Sequence, residues 1–320
     1  IPIIEYGLRN RDSNIKKSAS QLVGSISSLI KTPSDIMPYM EMLKKALRTS
    51  ITDNLGDVRA IAAKAYGVLC KKLTLENSTD LILSLKDILE SEDSTTIERA
   101  GAAQGISEIT YSLGTDYVKK VLPVYLANAR SNKPHIKESY IGVFAYLPVI
   151  MEDEFEEYIN DVTDAIVDSI AEDSESIRNL ALRVCKILIQ RFGLKKTAIL
   201  LEPAEEGLFS TNWRKRSSSI LLLSEMLEVL NKSEKRHLGK DIEKDYIEKF
   251  NRILTSIYIL KYDHIEHVKN TATQIWKNFV DNTPKTLKII LSMLLNKLLH
   301  LFTRSGENVD IAEACMKEFA

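Results

Sequence analysis

The chain has 320 residues, 44% hydrophobic and 27% charged, with 43 basic and 44 acidic side chains and a formal net charge of -1. That composition excludes a disordered chain, and the charge balance excludes a surface that is electropositive throughout, leaving room for a local basic stripe. No apolar run approaches the roughly 18 residues of a membrane-spanning helix, and the opening Ile1-Pro2-Ile3-Ile4 lacks the basic, apolar, small-residue order of a secretory signal.

Taken from the N-terminus, the elements are helices. Glycine and proline are few, and no Asn-Gly or Asp-Gly turn separates alternating apolar runs, so hairpins are not expected. Apolar residues recur at helical spacing, as in Ile177, Leu180, Ala181, Val184, Leu188 and Ile189. A helix anchor followed by a charged residue, with a small residue four places on, repeats along the chain. The copies are Ile15-Lys16 with Ala19, Val58-Arg59 with Ala62, Ile97-Glu98 with Gly101, and Ile136-Lys137, where Tyr140 takes the fourth place. Then come Ile177-Arg178 with Ala181, Lys215-Arg216 with Ser219, Val268-Lys269 with Ala272, and a weaker copy from Asn308 to Ala312. The steps between anchors are 43, 39, 39, 41, 38, 53 and 40 residues. Six of the seven lie at or near the roughly 40–47 residues of HEAT and armadillo repeats.

The expected fold is therefore an all-α solenoid of about eight HEAT-type helix pairs. A small residue at anchor+4 lets an inner helix lie close to its neighbours. Asp57, Ser94-Thr95 and Asp173-Ser174 supply the polar starts of inner helices. The outer helices read as shorter, and Pro38, Pro123 and Pro203 are expected to bend them. That bend favours HEAT over armadillo. Residues 1–320 read as a single array, and the absence of an initiator Met together with an end inside a helical stretch reads as a piece cut from a longer chain. The 53-residue step holds a charged segment, 231–245, expected to be a surface insertion loop. Cys70, Cys185 and Cys315, odd in number and widely spaced, are expected to be buried free thiols in a reducing compartment.

Catalytic chemistry finds no carrier. There is no Gly-x-Gly-x-x-Gly, no Gly-Lys-Ser/Thr and no Cys-x-x-Cys. Gly101-Ala-Ala-Gln-Gly105 imitates a phosphate loop but falls on the packing position of a repeat. His264 and His267 share a helix face without the further ligands a metal needs. The expectation is no enzyme, no cofactor, no metal and no small-molecule substrate. What remains are basic corners, of which Trp213-Arg214-Lys215-Arg216 is the densest, placing one aromatic beside three cations at the start of an inner helix. These four residues are the candidate partner contact, for a phosphate backbone or an acidic protein surface. Arg59, Arg178 and Lys269, at anchor+1, are expected to form a structural ladder with acids in neighbouring turns.

Four blocks resemble a known family. They are Glu98–Glu108, Tyr140–Pro148 with its Phe-Ala-Tyr-Leu-Pro ending, Gly207–Leu223, and Val268–Leu287 with Ile-Trp-Lys at 275–277 and Asn-Thr-Pro-Lys-Thr-Leu at 282–287. In this order they are similar to blocks of the giant HEAT-repeat translational activators of the general amino-acid control pathway, at or just after the part similar to elongation factor three. The resemblance implies a cytoplasmic, ribosome-binding scaffold that relays amino-acid starvation to the kinase of initiation factor two alpha. It places kinase contact further toward the C-terminus of the full protein, and implies neither DNA nor membrane as partner. Where the family block usually carries two acids and an isoleucine, this chain has Ser210, Thr211 and Lys215, making the corner more basic. The alternative is another HEAT adaptor, a transport receptor or a kinase or phosphatase scaffold, which periodicity alone does not separate from the first reading.

Overall fold

The computed structural model describes residues 2–29, 32–73, 75–234, 240–303 and 306–318. Helices follow one another as α1 (Pro2–Leu8), α2 (Ser13–Leu29), α3 (Pro33–Ile36), α4 (Met40–Ile51), α5 (Gly56–Lys72), α6 (Leu75–Glu90), α7 (Thr96–Ser112), α8 (Thr115–Ala129) and α9 (Pro134–Phe144). Then come α10 (Leu147–Met151), α11 (Ile159–Ile166), α12 (Glu175–Phe192), α13 (Thr197–Gly207), α14 (Trp213–Glu234), α15 (Lys240–Leu260), α16 (Glu266–Phe279), α17 (Thr283–Phe302) and α18 (Glu307–Lys317). No strand occurs among the described residues. The eight anchors fall on α2, α5, α7, α9, α12, α14, α16 and α18, each preceded by an outer helix or a set of shorter helical turns. The fold is an all-α solenoid of helix pairs, divided into two compact units, Ile1–Ile166 and Val167–Ala320.

The first unit packs its inner helices through small residues. Ala19, Ala62, Ala63, Ala102 and Ala103 are buried between α2, α5 and α7. A Cβ on Gly101 would lie 1.9 Å from the Ile51 carbonyl oxygen, so the α4 C-terminus rests against bare α7 backbone. The helix starts are signalled as expected at Thr95. Its hydroxyl accepts from the Glu98 N–H at 3.3 Å, while the Glu98 carboxylate accepts from the Thr95 N–H at 2.7 Å. The bonds from the Thr95 backbone and hydroxyl hold the Glu98 carboxyl below its ordinary range.

The anchor itself is not a core position everywhere. Ile15 and Ile97 are each 42% exposed, whereas every anchor+4 residue, from Ala19 to Ala312 and including Tyr140, is buried. Close approach of helix backbones is set at anchor+4; the anchor sits one turn earlier, toward the solvent end of the inner helix.

The prolines divide into two classes. Pro123 and Pro203 lie inside α8 and α13. Pro38 lies in a separate 3-10 turn, Met37–Tyr39, and divides α3 from α4 rather than bending one helix. Outer helices are not uniformly shorter, since α15 and α17 run 21 and 20 residues against 14 and 11 for α16 and α18. The segment 231–245, read as a loop, is helical at both ends: 231–234 complete α14 and 240–245 open α15, while 235–239 lie outside the described residues. Lys and Glu favour helix, and α14 and α15 extend into the charged stretch for that reason.

Glu152, at the end of α10, has φ 52° and ψ -128°, a backbone region nearly reserved for glycine. Glu152→Gly is expected to raise stability by about 1 kcal/mol, the relieved strain exceeding the added freedom of the unfolded chain. A lowered urea midpoint by circular dichroism would contradict this. All three cysteines are free and buried, and burial pushes the Cys70, Cys185 and Cys315 thiols up to about 12, leaving them protonated at neutral pH.

Candidate partner-binding corner

The second unit carries the candidate site, at the turn from α13 into α14. Asn212 caps α14 by accepting from the Arg214 N–H at 2.9 Å. Trp213 is thereby fixed at the corner, 38% exposed. The Arg214 guanidinium lies over its ring at 5.2 Å, and His267, from the first turn of α16, meets it edge-on at 5.9 Å between centroids. The indole presents one open surface between these neighbours, an aromatic plate bordered by a cation.

Arg214 and Lys215 project toward exposed acids. Arg214 Nη1 lies 3.5 Å from Asp173 Oδ1, and Lys215 Nζ lies 3.8 Å from Asp168 Oδ1. Both pairs are long and solvated, worth at most about 1 kcal/mol, so an incoming anion can take the cations over.

Arg216 does not belong to this surface. It is 1% exposed and its partner Asp263 is 0% exposed. Nη1 donates to the carbonyls of Ser210 at 2.8 Å and Thr211 at 3.4 Å, and to Glu307 Oε2 at 3.0 Å; Nη2 donates to Asp263 Oδ1 at 3.1 Å. Nε lies 2.8 Å from Asp263 Oδ2, a charge contact whose angle is too bent for a hydrogen bond. Arg216 is thus a corner staple of the fold and is unavailable to a partner. Its place at anchor+1, the ladder position, is the sequence signal for that role.

The ladder residues take a shared geometry. Arg59 Nη1 donates to the carbonyls of Asp53 and Asn54 at 2.7 and 3.0 Å, and Arg178 Nη1 to those of Glu172 and Asp173 at 2.5 and 3.2 Å. Arg99 makes the same contact with the Ser94 carbonyl and reaches Glu138 Oε2 at 3.3 Å. Each arginine therefore closes the turn in front of its own inner helix, satisfying turn carbonyls that lie outside the helical hydrogen bonds. Acid pairing between neighbouring turns is made instead by Lys16 with Asp53 at 2.6 Å, Arg99 with Glu138, and Arg216 with Asp263. Lys269 is exposed, and its ammonium meets no acid among the described residues, so the ladder expected there is not formed. Its anchor+1 place is the same, but the acid one pair further on, Glu307, is taken by Arg216.

No group of three or more His, Cys, Asp or Glu side chains is placed to hold a metal among the described residues, and no described helix is long and apolar enough to cross a membrane. Stacked helix pairs with buried small residues and arginine-closed corners define a HEAT-type α-solenoid.

Comparison with known proteins agrees with that class. Residues 1–80 match the family described as elongation factor 3/GNC1 HEAT repeat. The chain is 35% identical over 335 residues to protein ILITYHIA of Arabidopsis thaliana, covering 99% of this chain and 12% of that one. It is 32% identical over 320 residues to eIF-2-alpha kinase activator GCN1 of Dictyostelium discoideum and 31% identical over 317 residues to stalled ribosome sensor GCN1 of Homo sapiens. Each of these matches covers 93% of this chain and 12% of the relative. Over nearly its whole length the chain is similar to HEAT-repeat proteins named GCN1, and it spans about an eighth of the length of the relatives it matches.

Proposed function

We propose that this chain is a non-catalytic scaffold segment of a cytoplasmic, ribosome-associated activator, and that it serves the relay from amino-acid starvation to the eIF-2-alpha kinase. The observation that carries the reading is similarity over nearly the whole chain to relatives named as eIF-2-alpha kinase activator and stalled ribosome sensor. The Trp213 corner supports ribosome contact, with the Arg214 and Lys215 cations for rRNA phosphates and the open indole face for a base. The kinase is reached through the full-length protein rather than this segment. The reading takes no DNA, membrane or small molecule as a partner.

Arg214→Glu combined with Lys215→Glu is expected to lower ribosome cosedimentation at least several-fold in moderate salt. It is also expected to flatten the salt dependence of binding by roughly one to two charge contacts, with helicity unchanged. Sedimentation equal to that of the parent at every salt concentration removes the corner from the reading. Recovery of nuclear transport cargo, instead of ribosomal proteins, in pull-downs from starved-cell extract points to the other HEAT-adaptor function.

A further inference from the structure

Where α1 meets α4 in the first unit, the surface holds a hollow of about 20 Å³, lined by Leu8 and Arg9 at the end of α1 and by Lys45, Ala46 and Thr49 of α4. That volume admits one water-sized group. Leu8 and Ala46 are buried, whereas Arg9 and Lys45 are exposed. The Thr49 hydroxyl donates to the Lys45 carbonyl at 3.0 Å, so its proton is spent and the free donors at the hollow are the two cations. Arg48, one turn beyond Lys45 on the same face of α4, is exposed as well. Among the described residues, Arg9, Lys45 and Arg48 form no ion pair, and Arg48 acts on Glu98 only as a longer-range charge. Glu41, one turn before Lys45, is the acid on this face of α4, and Lys44 Nζ holds it at 3.0 Å. Residues 1–51 carry eight basic and four acidic side chains, against 43 and 44 in the whole chain, so the local balance is positive where the total is not. Tyr6, one turn before Arg9, is 73% exposed.

We infer that this α1–α4 ridge binds the phosphate backbone of RNA, with one phosphate oxygen seated in the hollow between Arg9 and Lys45. Arg48 meets a neighbouring phosphate, and the Tyr6 ring receives an unpaired base. Unpaired cations suit this role, because a phosphate that reaches them displaces only water and counterions, with no internal ion pair to break. Carboxylates of an acidic protein would answer the same charges. The exposed ring beside the cations is what favours RNA, since every base has a face that stacks on it and a carboxylate has none. The inference rests on the ribosome reading for the source of the RNA. Its residues lie in the first unit and are independent of the Trp213 corner.

The test uses the 320-residue chain carrying Arg214→Glu and Lys215→Glu, which removes the cations of the second unit's corner, and a fluorescent single-stranded oligouridine of about 12 nucleotides. Anisotropy is expected to give a Kd on the order of 10–100 µM at physiological salt. Adding Arg9→Gln and Lys45→Gln, at exposed positions that leave helicity unchanged, is expected to weaken binding roughly tenfold. The slope of log K against log salt should fall by about 1.4, two contacts at about 0.7 each for a single strand. Tyr6→Ala is expected to weaken binding several-fold at an unchanged slope, and Tyr6→Phe to bind as the parent does. In the chain with its corner intact, Arg9→Gln with Lys45→Gln should lower ribosome cosedimentation several-fold. Oligonucleotide affinity that survives the Arg9 and Lys45 changes overturns the inference and leaves the corner untouched. Displacement by poly-glutamate as effective as by unlabelled RNA assigns the ridge to an acidic protein, and displacement by an equal concentration of inorganic phosphate makes the hollow a lone-anion site; either result overturns it. Loss of oligonucleotide binding with parent-like ribosome cosedimentation supports the ridge and counts against the ribosome reading instead.

Discussion

Arg216→Ala is expected to destabilise the C-terminal unit by about 3–5 kcal/mol, the range for breaking a buried ion pair from one side. The loss has three parts. Asp263, with no solvent exposure, keeps among the described residues only the Ile265 N–H at 2.8 Å as a hydrogen-bond donor and becomes a buried charge without its arginine. The carbonyls of Ser210 and Thr211 lose their donor at the corner. Glu307 loses the contact that ties the start of α18 to α14, leaving Asn308 Nδ2 to the Phe209 carbonyl at 3.2 Å as the neighbouring link. The measurement is direct, because the chain's two tryptophans, Trp213 and Trp276, both lie in this unit and report its urea unfolding by fluorescence. Arg216→Met with Asp263→Asn should recover more than half of the loss, since the amide keeps the bond to Ile265 while both charges go. Arg214→Ala, by contrast, should move the midpoint by less than about 0.5 kcal/mol, because its pair with Asp173 is exposed. If Arg216→Ala leaves the fluorescence midpoint in place and instead releases ribosomes, Arg216 is a contact residue after all and the staple is wrong.

The sequence showed the repeat because the repeat is local. Small residues at anchor+4 recur every 40 residues or so, and each of them is buried in the fold. The same arithmetic placed Arg216 at anchor+1 beside Arg59 and Arg178, but the density of cations after Trp213 drew it into the partner site. What decides its role is Asp263 and Glu307, 47 and 91 residues away, and no local pattern announces them. Lys269 shows the converse. It occupies a ladder position by spacing, yet it is exposed and no acid among the described residues is brought to it. The helical ends of the 231–245 segment were hidden for a different reason: charge reads as loop, whereas Lys and Glu are good helix formers once a neighbouring helix supplies the nucleus.

Gly101→Ala should be the most damaging single-methyl change in the N-terminal unit, costing about 3 kcal/mol, at the upper end for overpacking. Alanine ordinarily improves a helix by roughly 0.5–1 kcal/mol over glycine, so propensity predicts the opposite sign. Geometry decides between them. The new Cβ meets the Ile51 carbonyl oxygen at 1.9 Å and its carbon at 3.1 Å, and these are backbone atoms at the end of α4 that no rotamer change can move. Arg59 Cδ, at 2.9 Å, is also pinned, because its guanidinium closes the Asp53–Asn54 turn. Relief requires α7 to slide away from α4 and α5, loosening the packing of Ala62, Ala63, Ala102 and Ala103 together. Gly105, one turn along the same helix, supplies the control: its Cβ would first touch Leu85 Cδ1 at 2.9 Å, the tip of a flexible side chain. Gly105→Ala should cost less than about 1 kcal/mol, the volume being absorbed by a rotamer shift. Hydrogen exchange read at the α5 and α7 amides separates the two, with protection lost in Gly101→Ala and retained in Gly105→Ala. Equal protection in both variants would mean that the α4–α7 approach yields easily, and that the glycine in the Glu98–Glu108 block is there for some reason other than packing.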